Sequence, residues 1–136
     1  MKVFPNLILS AILCQLVFSS CTKDGYGYSS NPKPARTIQF NLYTEKDFSN
    51  DNHNIIFSLF IKTHTKTLFD STLSVMKIKD IPLLANKLTF EKKVPNDDGT
   101  DLAVGFHYTI ENVGSAGYTD TCKAGNALKK VDFSFQ

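Results

Sequence analysis

Three groups of side chains in this sequence are of types that do chemistry: a run of carboxylates, three histidines and a late cysteine. Asn96-Asp97-Asp98-Gly99-Thr100-Asp101 gathers three acidic residues in one short loop. Calcium takes roughly six to eight oxygen ligands, so Asp97, Asp98 and Asp101 with nearby carbonyls could begin its shell. The alternating acids and distal Glu of an EF-hand loop are missing, and Asp98-Gly99 is a hairpin turn in its own right. A solvated turn is the plainer reading and a calcium site the alternative. His53, His64 and His107 stand in no His-x-His or His-x-x-x-His spacing, so no zinc ligand set is readable and surface positions are expected. Cys122, His107 and Asp120 have the types of a nucleophile, a base and an orienting carboxylate. Nothing local joins them, and a buried small residue is the plainer role for Cys122. No Gly-x-Ser-x-Gly elbow or glycine-rich phosphate loop occurs, so no catalytic residues and no enzymatic activity are expected. Tyr43 and Tyr118 are the candidates for stacking on a sugar or anchoring a partner. The absence of Trp removes the largest stacking platform.

The N-terminus carries a different chemistry. Met1-Lys2 is followed, after Pro5-Asn6, by a 12-residue apolar run from Leu7 to Phe18, interrupted only by Ser10 and Gln15. A permanent spanning helix needs about 20 apolar residues, so residues 1–20 read as an export signal. The run ends in Phe18-Ser19-Ser20-Cys21, which resembles the lipobox of bacterial lipoproteins, with Phe18 where that pattern prefers an aliphatic residue. The resemblance implies cleavage before Cys21 and a diacylglyceryl unit on its thiol, usually with a further acyl chain on its nitrogen. Two or more acyl chains hold a protein stably on a membrane without a transmembrane helix. Cys14 leaves with the signal and Cys21 is capped, so Cys122 has no disulfide partner within its own chain.

Thr22 to Arg36, rich in Gly, Ser and Pro, reads as a tether with a reach on the order of 20 Å. With Cys21 it makes residues 21–36 a lipidated linker. Lys23-Asp24 partly resembles the Lys/acidic export signal of Bacteroidota surface lipoproteins, which usually carries two or more acids where Gly25 follows here. Outer-membrane anchoring is the expectation, with surface and periplasmic exposure both open.

From residue 37 onward the apolar residues recur with period two, as in half-buried strands. Thr37–Thr44 puts Ile38, Phe40 and Leu42 on one face. Asn54–His64 puts Ile55, Phe57, Leu59 and Ile61 inward and carries Ile56 and Phe60 on the other face, which suits the middle of a sheet or a place under a loop. Phe69–Ile78 changes parity, which suggests a bulge or bend. Ile81–Asn86 is expected to make one helical turn with Pro82 at its first position. Lys87–Val94, Leu102–Ile110 and Lys129–Phe135 complete the strands. Turn signals separate them at residues 49–54, 95–99, 112–117 and 125–126.

About seven strands without a helical pattern predict an antiparallel β-sandwich over residues 37–136. The layout resembles the immunoglobulin-like or prealbumin-like sandwiches of small Bacteroidota lipoproteins, and the resemblance carries no functional residues. The 15 basic and 13 acidic side chains leave no basic stripe for nucleic acid. The reading is a membrane-anchored, non-catalytic interaction or structural module of the cell envelope, with no cofactor beyond the lipid on Cys21. Its alternative is a glycan- or small-ligand-binding lipoprotein serving nutrient uptake. The first expects an exposed apolar or Tyr-bearing patch or an unpaired edge strand. The second expects a groove with two or more aromatics and converging polar groups.

Overall fold

One apolar face per strand has to be covered, and the chain does this by closing two sheets on each other. The computed structural model describes residues 35–95 and 99–136. The segment read as an export signal, Cys21 and the expected tether up to residue 34 lie outside the described residues, as do Asp97 and Asp98. Residues 32–136 form one compact unit, and the core described below lies entirely within it.

Among the described residues there are eight strands: β1 (Arg36–Thr44), β2 (Asn54–Lys62), β3 (Thr67–Thr72), β4 (Met76–Lys77), β5 (Leu88–Val94), β6 (Leu102–Ile110), β7 (Gly114–Cys122) and β8 (Leu128–Phe135). The smaller sheet has the order β5-β1-β8. The larger has the order β3-β2-β6-β7, with β4 sharing the edge of β2 that β3 occupies. Neighbours are antiparallel except β1 and β8, which run parallel from Thr37↔Leu128 to Thr44↔Phe135. The doubly apolar β2 is central, as its composition requires, with Phe60 buried on the outer sheet face.

Arg36 belongs to β1 and is buried, so the strand begins one residue inside the expected tether. The parity change in the third apolar segment is a full break: β3 and β4 are separate strands flanking Leu73–Val75. The β2–β3 register shifts where Ile61 and Lys62 of β2 face Phe69 and Thr67, leaving Leu68 of β3 as the extra residue.

The helical turn expected at Ile81–Asn86 forms in the second half of that range, and Pro82 does not open it. Single 3-10 turns form at Ile78–Asp80 and Leu84–Asn86, and Pro82 stands between them. The cause is a bridge from Leu83 to Thr44, whose N–H donates to the Pro82 carbonyl at 2.9 Å. That contact holds Ile81 and Leu83 extended.

The inward side chains interlock as one core. Ile38, Phe40 and Leu42 of β1 and Val131 of β8 face Phe57, Leu59 and Ile61 of β2 and Val104 and Phe106 of β6, all at most 2% exposed. Phe106 crosses the interior, edge-on to Phe40 at 5.5 Å and stacked on Phe133 at 5.2 Å. Phe133 also meets Phe57, Tyr108 and Tyr118. Aromatic pairs of these geometries add about 0.5–1.5 kcal/mol each beyond the area they bury.

Candidate functional site: a polar cleft opposite the chain's point of arrival

Strand direction divides the loops into two groups. β1 carries the chain from Arg36 to Thr44, about 26 Å for a nine-residue strand. At the far end gather the β1–β2 loop, the β6–β7 turn and the two 3-10 turns. At the near end gather the β5–β6 loop and the β7–β8 turn, whose Ala127 carbonyl accepts the Thr37 N–H at 2.8 Å.

The far end holds an open cleft of about 700 Å³, lined by Asp47, Phe48, Asn50, Asp51, Asn52, His53, Asn54, Glu111 and Asn112. The loop is built by its own short polar side chains, which bond backbone groups two residues on. Asp47 accepts the Ser49 N–H at 2.9 Å and Asp51 the His53 N–H at 3.0 Å. His53 Nδ1 lies 2.7 Å from the same Asp51 oxygen. The Ser49 contacts hold the Asp47 carboxyl below its ordinary value, and the His53 contacts do the same for Asp51. Both are therefore anionic at neutral pH.

The loop is pinned from beneath. Ile78 N–H donates to the His53 carbonyl at 3.0 Å and Lys79 N–H to that of Asp51 at 3.1 Å. Phe48 packs on Phe135 at 5.3 Å. The opposite wall is the β6–β7 turn, where Asn112 takes a positive φ of 60°, which Asn tolerates better than most residues. Asn54 Nδ2 donates to Glu111 Oε2 at 2.7 Å, tying the walls together.

This arrangement presents carboxylate and amide oxygens, amide donors, an imidazole and one ring. Such groups hydrogen-bond hydroxyls in pairs, while Phe48 offers an apolar surface. Among the described residues no group of three His, Cys, Asp or Glu stands where it could hold a metal.

The residues singled out by sequence are spread over the molecule. Tyr43 lies on the outer parity of β1 with Gln39 and Asn41, whereas Tyr118 faces the interior and packs on Phe133 at 5.6 Å. The sandwich separates these two rings, and neither lines the cleft. Asp101 sits at the near end, its two oxygens accepting from Lys123 Nζ at 2.8 Å and from the Ala124 N–H at 2.9 Å. The Lys123 hydrogen bond, first among its contacts, lowers its pKa. A lysine already occupies the oxygen that a calcium ion would need there.

Cys122 is buried in the core and Asp120 shares its inward parity. Asp120 binds Lys129 of β8 at 2.6 Å across the sheets, and that hydrogen bond lowers its pKa. His107 points the other way, stacked on Phe60 at 4.7 Å on the outer face of the larger sheet. The three are therefore not assembled as nucleophile, base and orienting acid. In sequence a run of Asp and Asn reads as a turn, which hides the cleft residues. The density of such residues from Asp47 to Asn54, with His53 among them, was the available signal. Comparison with protein-family models, curated proteins and solved structures found no match for the chain.

Proposed function

We propose that the chain is a lipid-anchored, non-catalytic binding module of the bacterial cell envelope, whose far-end cleft takes a small hydroxyl-rich ligand such as a glycan. The anchor reading rests on Cys21, placed after small residues at the end of an apolar run too short to span a bilayer. Cys21→Ser is expected to move the protein from the membrane pellet to the soluble fraction and to abolish metabolic palmitate labelling. A wild-type chain that takes up no label, or a variant that still pellets, overturns the anchor.

The observation that carries the binding reading is the position and chemistry of the cleft. It lies about 26 Å along β1 from Arg36, at the other end of the strand. Its lining is polar on two walls with Phe48 as its one phenyl ring, fewer than the two aromatics expected of a stacking groove, so the reading rests on the carboxylates and amides, which hydrogen-bond hydroxyls in pairs. Titration calorimetry against a panel of oligosaccharides tests it. Asn54→Ala, which unlinks the two walls, is expected to weaken binding by about tenfold, or 1.4 kcal/mol. Absence of heat from every sugar at millimolar concentration overturns the glycan reading. A protein-facing role is favoured by a different feature, the outer edge of β7, with which no strand pairs among the described residues.

A further inference from the structure

Open sheets have two outer strands each, and unpaired strand edges invite pairing with another chain unless charge, proline, bulges or short length blunt them. Three of the four edges here are blunted. β5 carries Glu91, Lys92 and Lys93, and β8 carries Lys129, Lys130 and Asp132. β3 has six residues, includes Asp70 and pairs with a register shift. β7 is different. It has nine residues with no Lys, Arg or Pro, and it runs in unbroken register with β6 from Gly114 to Cys122. Its one charged side chain, Asp120, is engaged by Lys129. Among the described residues no strand pairs with its outer edge, and Gly114 to Gly117, Thr119 and Thr121 are exposed.

We propose that β7 is a self-association edge, pairing antiparallel with β7 of a second copy about a two-fold axis at Tyr118 to join two five-stranded sheets. A two-fold interface must be its own complement, and this strand meets that condition. Centring on Tyr118 aligns all nine residues, Gly114 opposite Cys122 and Ser115 opposite Thr121 of the second copy. Asp120 then faces Ala116, so no like charges oppose each other, while the two Tyr118 side chains form a cross-strand pair of a favourable kind. The same operation on β5 would set Glu91 against Glu91. This association is independent of both the lipid anchor and the cleft.

Sedimentation velocity of residues 32–136, which contain the whole core described above, tests the proposal across a concentration series. The wild-type chain is expected to show a concentration-dependent dimer. Ser115→Lys with Thr121→Lys places lysine opposite lysine twice per interface and is expected to weaken the dimer by about tenfold or more. Ser115→Lys with Thr121→Glu turns both contacts into opposite-charge pairs and is expected to restore it. All three chains are expected to give the same circular dichroism, since both positions are exposed on the outer face. A wild-type monomer at millimolar concentration overturns the proposal. So does a double-lysine chain that dimerises as tightly as wild type, or a Lys/Glu chain as weak as the double-lysine one.

Discussion

Replacing Gly105 with alanine is expected to lower the melting temperature by about 10 °C or more, a loss of about 3 kcal/mol. A Cβ built on Gly105 falls 1.9 Å from the Tyr118 carbonyl oxygen and 2.9 Å from its carbon. Both are backbone atoms of β7 in direct register with β6, so no side-chain rotation relieves the contact and the ladder must part. Gly117→Ala is the internal control. There the nearest atom is His107 Nδ1 at 2.7 Å, on an exposed ring that can shift at some expense to its stacking on Phe60, and the nearest backbone atom, the Phe106 carbonyl oxygen, stands off at 3.2 Å. Thermal melts of the two variants side by side check the prediction, and equal losses would show that the β6–β7 backbone yields more readily than its register implies.

Phe106→Ala is expected to be the costliest truncation, at about 3–5 kcal/mol. Its ring is fully buried and touches Phe40 and Phe133, both from the smaller sheet. The cavity would therefore open between the layers, where neither sheet can relax into it without moving against the other. Domains of this size have only about 5–15 kcal/mol of stability in all. Urea unfolding measures the loss, and Phe106→Leu, which keeps most of the volume, is expected to recover more than half of it.

The strands that could be read from sequence are those whose inward face is apolar at every second position. β6 is the clearest: Leu102, Val104 and Phe106 alternate with Ala103, Gly105 and His107, and its observed bounds are the expected ones. β7 was not legible. Its first four residues, Gly114-Ser115-Ala116-Gly117, carry the local signature of a turn, and its inward face holds only Tyr118, Asp120 and Cys122 beyond them. What makes it a strand is the free edge of β6, a tertiary partner that overrides local propensity. The parallel partnership of β1 with β8 leaves no local trace either, since nothing in either segment encodes direction. The cleft was hidden for a related reason. Its walls come from Asn54 and Glu111, 57 residues apart, and only the pairing of β2 with β6 brings them together. The parity of β6 puts His107 on an outer face, where it stacks on Phe60. The reason Phe60 can be buried on that same face, under the His107 ring and with the Lys62 ammonium 4.9 Å from its centroid, needed the register to be seen.

The parallel pairing of β1 with β8 also sets a timetable. Synthesis delivers β1 well before β8, yet β1 sits between β5 and β8 in the smaller sheet. Until the eight residues of β8 arrive, one whole flank of β1 has nothing to bond, and Phe40 and Phe106 lack the Phe133 and Val131 layer that encloses them. Contacts this distant along the chain must first overcome the entropy of closing a long loop. A nascent copy therefore stays pliable through most of its synthesis, and the smaller sheet locks only when β8 reaches β1.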